Sequence, residues 1–444
     1  MRTLNVALAA ALLAASAGAG GGSALLRGGN VITVAGPTLQ GADILVVDGI
    51  IRQVGENLQA PPGVPVIDCR GRWVMPGIID AHSHIALEGG VNETGALLTP
   101  ETDCADIIDP EDLDIFYALT GGVTSIHTMH GSANPIGGRG IVLKLRWGAT
   151  APEMVFAGAP RTVKWALGEN PKQANSPDST RYPKTRMGVE ASIRAIFEEA
   201  RSYQRAWRDH QRRAAAAAKA GKPAPLPPRR DLRLEVVSDI LAGKLWVRCH
   251  AYQAAEMLSI LKLCQEYGVK LAAFEHGLEA YKIADELAAA GVGNAAFADF
   301  WGYKWEAFFT LPHSVAMQVR RGVVAAVASD SAERMRRLNL DAAKTVRFGG
   351  LTPDEAIRTI TINAATICGT DRWVGTIQVG KHADLAVFDR HPLDAYAVCQ
   401  MTLVDGNVLF DRAAVLAERA AREARVREGA PPPTTQTPPP GGKS

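Results

Sequence analysis

Hydrophobic positions fall into three regimes along the chain. In ALLRGGNVITVAGPTLQGADILVVDGIIRQVG, short β-branched runs are broken by Gly and Asp, which predicts several small antiparallel strands. A similar pattern returns near the other end in GTIQVGKHADLAVFD and MTLVDGNVLFD. Two β-rich segments around a long middle predict a small β-sandwich made from both termini, residues 24–75 plus 372–412. The middle, 76–371, alternates short apolar runs with amphipathic stretches. Its strand candidates are GIIDAHSHI, GVTSIHTM, GIVLKL, RTVKWAL, KLWVRCHAY, KLAAFEH, VGNAAFA and VVAAVASD. Stretches such as ASIRAIFEEARSYQRAW and QAAEMLSILKLCQEYG read as helices between them. This alternation predicts an α/β protein with a parallel (β/α)8 TIM-type barrel.

Such a barrel takes about 250 residues, so the middle has room for one insertion. SYQRAWRDHQRRAAAAAKAGKPAPLPPRRDLRLE, near 201–231, reads as a basic, Ala-rich helix followed by a Pro-rich linker. Its Arg cluster reads as a solvated helix face, with an acidic partner as the alternative.

The two ends carry different signals. Residues 1–19 combine a positive charge, the apolar run LNVALAAALLAA and an Ala-x-Ala site, which describes a secretory signal peptide. The run is shorter than the roughly 20 residues of a spanning helix, so export to the periplasm or medium is expected, without membrane insertion after cleavage. Residues 429–444 are Pro-rich, lack apolar periodicity and read as a disordered tail. With 47% hydrophobic and 21% charged residues among 444, global disorder is excluded. A net charge of +2 gives no electrostatic reason to expect a nucleic-acid partner. The six cysteines show no CxxC pairing, so most are expected as buried thiols, with one disulfide left open.

The candidate chemistry starts in VMPGIIDAHSHI. Residues two apart on a strand share a face, so His82 and His84 project together. Two imidazoles converging at a barrel mouth can bind one transition metal, although two structural histidines would give the same pattern. Later strand candidates end in WVRCHAY, LAAFEHG and AVASDSAE, adding His250, His276 and Asp330 at the same rim.

This arrangement resembles the amidohydrolase superfamily over nearly the whole chain. The opening through VIDCRGRWVMPGIIDAHSHI and the closing NAATICGTDRWVGTIQVGKHADLAVFD carry the resemblance. GSANPIGGRG and ALGENPK place the chain nearer the imidazolonepropionase-like and Xaa-Pro dipeptidase-like branch. The resemblance implies one or two divalent metal ions, with zinc favoured by the ligand chemistry. It assigns His82 and His84 to the more buried ion, His250 and His276 to the more exposed one, and Asp330 to metal contact and proton transfer. It also implies a bridging ligand. Lys164 in TVKWALGEN is the first candidate, carboxylated by carbon dioxide to a lysine carbamate. Glu169 is the alternative and Lys144 the weaker third.

Groups that could contact substrate are His130, Asn134 and Arg139 around the turn-rich loop Gly131–Gly140, Arg248 on the face of His250, and Tyr303 beside Lys304. His130 is preferred over His127 because residues three apart on a strand face opposite ways. The expected activity is hydrolysis of a C–N bond in a cyclic or peptide-like amide by metal-activated hydroxide, with Asp330 shuttling the proton. Deamination of a ring amine and a catalytically silent metal- or ligand-binding barrel are the rival readings. The expected partner is a small-molecule or short peptide-like substrate, and a homo-oligomer stays open.

Overall fold

The computed structural model describes residues 21–173 and 180–427. The expected signal peptide and Pro-rich tail lie outside the described residues.

Five strands come first: β1 (Ala24–Val31), β2 (Leu39–Val47), β3 (Ile50–Gly55), β4 (Val66–Asp68) and β5 (Trp73–Pro76). Eight more follow: β6 (Ile78–Ser83), β7 (Val123–Thr128), β8 (Ile136–Lys144), β9 (Thr162–Ala166), β10 (Trp246–Ala251), β11 (Leu271–His276), β12 (Gly293–Ala296) and β13 (Ala325–Val327). Three close the series: β14 (Leu385–Phe388), β15 (Cys399–Val404) and β16 (Asn407–Asp411).

Strands from the two ends share one eight-stranded sheet in the order β16-β15-β14-β5-β1-β2-β3, with β4 on β1. The junction is the antiparallel pair β5–β14, where Val74 faces Val387. Leu26, Ile44, Val74, Leu385 and Leu403 from both ends bury one common core.

The middle strands run β6 through β13 in sequence order as an eight-stranded, nearly closed barrel sheet. All eight sequence-predicted strands are present. Most are buried on both faces, which is why they read as short apolar runs rather than alternating ones. The expectation of an all-parallel barrel is corrected at β8, which runs antiparallel to both β7 and β9. Residues 129–135 alone separate β7 from β8. A parallel crossover needs about a dozen residues or more, so this link can only turn back.

The barrel closes between β6 and the end of β13 by side chain and backbone together. Asp80 accepts from the Ser329 backbone N–H at 3.1 Å and from its hydroxyl, and the Asp330 N–H donates to the His82 carbonyl at 3.2 Å. This seam sets the loop carrying Asp330 against the strand carrying His82 and His84.

The basic insertion continues the preceding helix rather than forming its own. One helix spans Arg186–Lys219, capped by Thr185 on the Gly188 N–H. Val189, Ile193, Ile196 and Phe197 recur on one face and are buried against the barrel, whereas the alanine-rich second half is largely exposed. Among the described residues, no helix is long and apolar enough to cross a membrane.

Candidate metal centre

The strand-end residues converge. Ligating atoms of His82, His276 and Asp330 lie within 4.8 Å of one another. His84 joins them: its Nε2 is 3.4 Å from His82 Nε2 and 2.9 Å from Asp330 Oδ1. His276 Nε2 lies 3.9 Å from Asp330 Oδ2. The His250 ring meets the His276 ring edge-on at 4.8 Å between centroids. Thus β6, β10, β11 and the turn after β13 each bring a donor to one place.

The backbone bends to achieve this. His276 and Asp330 adopt φ of +71° and +49°, a left-handed conformation that L-residues seldom occupy. Gly277 follows with φ +43°, and a Cβ there would collide with the Asn294 side chain. Strain at two would-be ligands is held by the surrounding packing, a pattern that clusters at functional sites.

Glu275, which the sequence reading passed over, holds the centre from beneath. It is fully buried and takes His82 Nδ1 at 2.7 Å through Oε2, while Oε1 lies 2.6 Å from Arg248 Nε. An ionised carboxylate only accepts, so His82 Nδ1 carries the proton and Nε2 faces His84 and Asp330. This carboxylate–histidine pair is the kind that orients a metal-ligating imidazole. Its signal in the sequence was a second ionisable residue in the apolar run LAAFEH.

Burial and charge act oppositely on these groups. Burial pushes His250 and His276 well below the ordinary imidazole value, so both stay neutral and available as ligands. Burial and Lys164 also work to lower His82, but the carboxylates of Glu275 and Asp330 outweigh them and raise it. Burial works to raise Glu275 and Asp330. Arg248, His82 and Lys164 nevertheless hold Glu275 at about 2, and His82, His84 and His276 hold Asp330 well below the carboxylate range. Lys164 is buried at the fourth strand of the barrel, with Met129 Sδ 3.1 Å from Nζ, and burial lowers its pKa.

The residues present fit a divalent cation. Neither ring nitrogen of buried His250 has a hydrogen-bond partner, nor does His276 Nδ1. Uncompensated buried polar atoms beside an anionic carboxylate are costly without an ion to take their lone pairs.

The remaining sequence candidates are placed as follows. Lys144 is not at this rim. The reversal of β8 carries it to the opposite end of the barrel, where it pairs with Asp384 at 3.0 Å, His382 Nδ1 at 2.9 Å and Asp405. Glu169 pairs with Lys304 at 3.5 Å. Arg248 is fully buried and donates to the Ala81 carbonyl at 2.8 Å besides its Glu275 contact. His130 Nδ1 lies 2.7 Å from the Gly131 carbonyl and Nε2 3.2 Å from that of Gly138; burial keeps the ring neutral, so its one N–H donates to one of them. Asn134 donates to the carbonyls of Glu93 and Ala96, and Arg139 pairs with Asp103 at 3.2 Å. His130 and Asn134 brace the loop before β8, and Arg139, on β8, ties that strand to Glu101 and Asp103. Part of that expected loop, Ile136 to Gly140, is already strand. Tyr303 is half exposed, and its hydroxyl bonds that of buried Tyr252, whose ring lies 4.7 Å from His250 and 5.2 Å from His276. All six cysteines are buried free thiols.

A model of the amidohydrolase family matches residues 313–410. A crystal structure of an amidohydrolase from Thermotoga maritima is 32% identical, with a TM-score of 0.78, covering 87% of this chain and all of that one. The chain belongs to the amidohydrolase superfamily. The curated amidohydrolase tasK of Hapsidospora irregularis is 31% identical over 419 residues, 88% of this chain and 42% of tasK. An adenine deaminase from Paracoccus denitrificans is 31% identical over 147 residues, 32% of this chain and 22% of that enzyme. The chain therefore spans less than half the length of these two curated relatives. The names these relatives carry, amidohydrolase and adenine deaminase, are those of hydrolases acting on C–N bonds.

Proposed function

We propose that this chain is a metal-dependent amidohydrolase that cleaves the C–N bond of a cyclic or peptide-like amide. The observation carrying this reading is the convergence of His82, His84, His276 and Asp330 beside the unpartnered nitrogens of His250. These residues, with Lys164, would hold one or two divalent ions, zinc being the best match to imidazole and carboxylate donors. When bound, such an ion acidifies a water and polarises a carbonyl.

The chain's own groups supply the rest. Asp330 is ionised and a quarter exposed, so its carboxylate can accept a proton from water and deliver it to the leaving nitrogen. Glu275 keeps the His82 proton on Nδ1 and leaves Nε2 free as a donor. Lys164 has a buried, readily neutralised amine, which suits attack on carbon dioxide. There an N–C bond would form to the neutral amine with loss of one of its protons, and the carbamate so made would add an anionic oxygen ligand for the ions. Glu169 is the alternative bridge. Tyr303, with Tyr252, borders the space above His250 and His276. His130 and Asn134 shape that space by fixing the loop before β8, and Arg139 by tying β8 to Asp103. We also propose that the protein is exported by cleavage of residues 1–19, that it acts on a small-molecule or short peptide-like substrate without nucleic acid, and that the terminal sheet curls into a β-sandwich around its shared core.

The test is a turnover screen of N-acyl amino acids, X-Pro dipeptides and small lactams with zinc-loaded protein, alongside Asp330→Asn. Amide hydrolysis in the parent, a loss of at least 100-fold in kcat and retained zinc in the variant are expected. Equal turnover by the variant would remove Asp330 from proton transfer. Deamination is the second reading, favoured by the adenine deaminase match. Ammonia release from ring amines with no amide turnover selects it.

A further inference from the structure

The segment between β12 and the helix Ser314–Arg320 packs on four different strand exits. Phe297 stacks on His276 at 4.4 Å, and Phe300 packs on Phe297 at 4.3 Å. Arg334, just beyond Asp330, lies 4.2 Å from the Phe300 ring centre. Lys304 sits 4.1 Å over the Tyr252 ring after β10, donates to Asn170 after β9 at 2.8 Å and pairs with Glu169. The segment is thus a strap anchored to the same elements that carry the metal donors.

Its outer surface is aromatic and uncovered. Tyr303 is 54% exposed, Trp301 64% and Trp305 80%. Trp305 stacks on Phe308 at 5.8 Å with ring planes 29° apart, and Trp301 Nε1 donates to the Phe308 carbonyl at 2.8 Å, so these rings are held in a fixed arrangement. Rigid aromatic surface in water is unfavourable unless something apolar covers it, and flat apolar groups stack on it well. From His276 through Phe297, Phe300 and Tyr303 the aromatic surface is continuous from the candidate ligands to solvent.

We propose that this strap is the specificity subsite of the same centre, and that it receives a large apolar or aromatic group attached next to the scissile C–N bond. The substrate class is then an amide with a hydrophobic substituent rather than a small polar amide. This inference rests on the hydrolase reading, since it takes the substrate to bind at the histidine cluster.

Binding and turnover test the two ideas separately. Zinc-loaded Asp330→Asn is titrated by calorimetry with N-acetylglycine, N-acetylleucine, N-acetylphenylalanine and N-acetyltryptophan, and Trp301→Ala and Trp305→Ala are introduced into it singly. Affinity rising at least tenfold from the glycine to the aromatic members is expected. Each Trp variant should lose at least fivefold for the aromatic members, with N-acetylglycine binding changed less than twofold and zinc content unchanged. A flat series, or Trp variants that weaken all four ligands alike, overturns the subsite. Light scattering adds a further outcome: if the Trp variants alter the oligomeric mass and leave ligand selectivity intact, the patch covers a second copy of the chain and the proposal is overturned. Selective binding with no amide turnover by the parent would sink the hydrolase reading while leaving the subsite standing.

Discussion

Glu275 offers a perturbation whose two consequences can be separated. Its carboxylate is fully buried between Arg248 and His82. Folding holds it at about 2 against an ordinary 4.5, which corresponds to about 3 kcal/mol of stability. That agrees with the ~3–5 kcal/mol lost when one partner of a buried pair is removed. The folded value is depressed, so this stability is fully present above about pH 4.5 and is lost as pH falls towards 2. Metal-free Glu275→Gln should therefore unfold in urea about 3 kcal/mol more easily at pH 7, with the deficit shrinking as the buffer is taken below pH 4.5. Zinc affinity by calorimetry should fall roughly 10–100-fold, because His82 Nδ1 loses its anionic acceptor. The double variant Glu275→Leu with Arg248→Met removes both buried charges and should recover most of the stability. It should not recover the zinc affinity, since His82 still lacks its acceptor. If the double variant restores both, or if Glu275→Gln binds zinc as tightly as the parent, orientation of His82 by Glu275 is refuted.

Other expectations follow from single contacts. Lys144→Met strands the buried carboxylate of Asp384 at the far end of the barrel, while Asp405 keeps Arg146. It should cost about 3–5 kcal/mol in chemical unfolding and leave zinc stoichiometry and affinity unchanged. Dialysis against a chelator should lower the thermal midpoint and abolish turnover. Zinc at 100 times its Kd should return about 2.7 kcal/mol of stability, and activity with it. Lys164→Arg keeps the charge but cannot form the carbamate bridge, so bound metal by elemental analysis should fall from two ions to one and bicarbonate should no longer stimulate zinc uptake.

The parts of this molecule that were legible in its sequence share a physical cause. Strands buried on both faces must be apolar, so β6 to β13 stand out as runs, and a polar residue placed within such a run has to be there for a reason. His82 and His84 follow from the two-residue repeat of a strand, and His250, His276 and Asp330 from their position where an apolar run stops. The direction of a strand has no such signature. GIVLKL reads the same either way, and only the short link of residues 129–135 carries the reversal. That one reversal decides the lysines: it sends Lys144 to the base of the barrel and leaves Lys164, on the next strand, at the level of Arg248.

Side chains in and beside the loop before β8 were harder to read for a different reason. Asn134, His130 and Arg139 have the chemistry to meet a substrate carbonyl or carboxylate, but a folded loop exposes many carbonyls of its own. In the structure Asn134 donates to the Glu93 and Ala96 carbonyls, Arg139 to that of Glu101, and the one N–H of the neutral His130 ring to that of Gly131 or Gly138. A side chain's hydrogen-bonding capacity is finite, and which acceptor uses it depends on a loop conformation that residue type alone does not set. Glu275 is the converse case. Its partner His82 is 193 residues away, and its neighbour His276 is the residue that ends the apolar run. What fixes its role is the register of β11 against β10, which sets Glu275 opposite His250, and the contact of its carboxylate with Arg248 on that same strand. A buried carboxylate persists at that position only if it is paired, and the pair it makes orients the first imidazole of the centre.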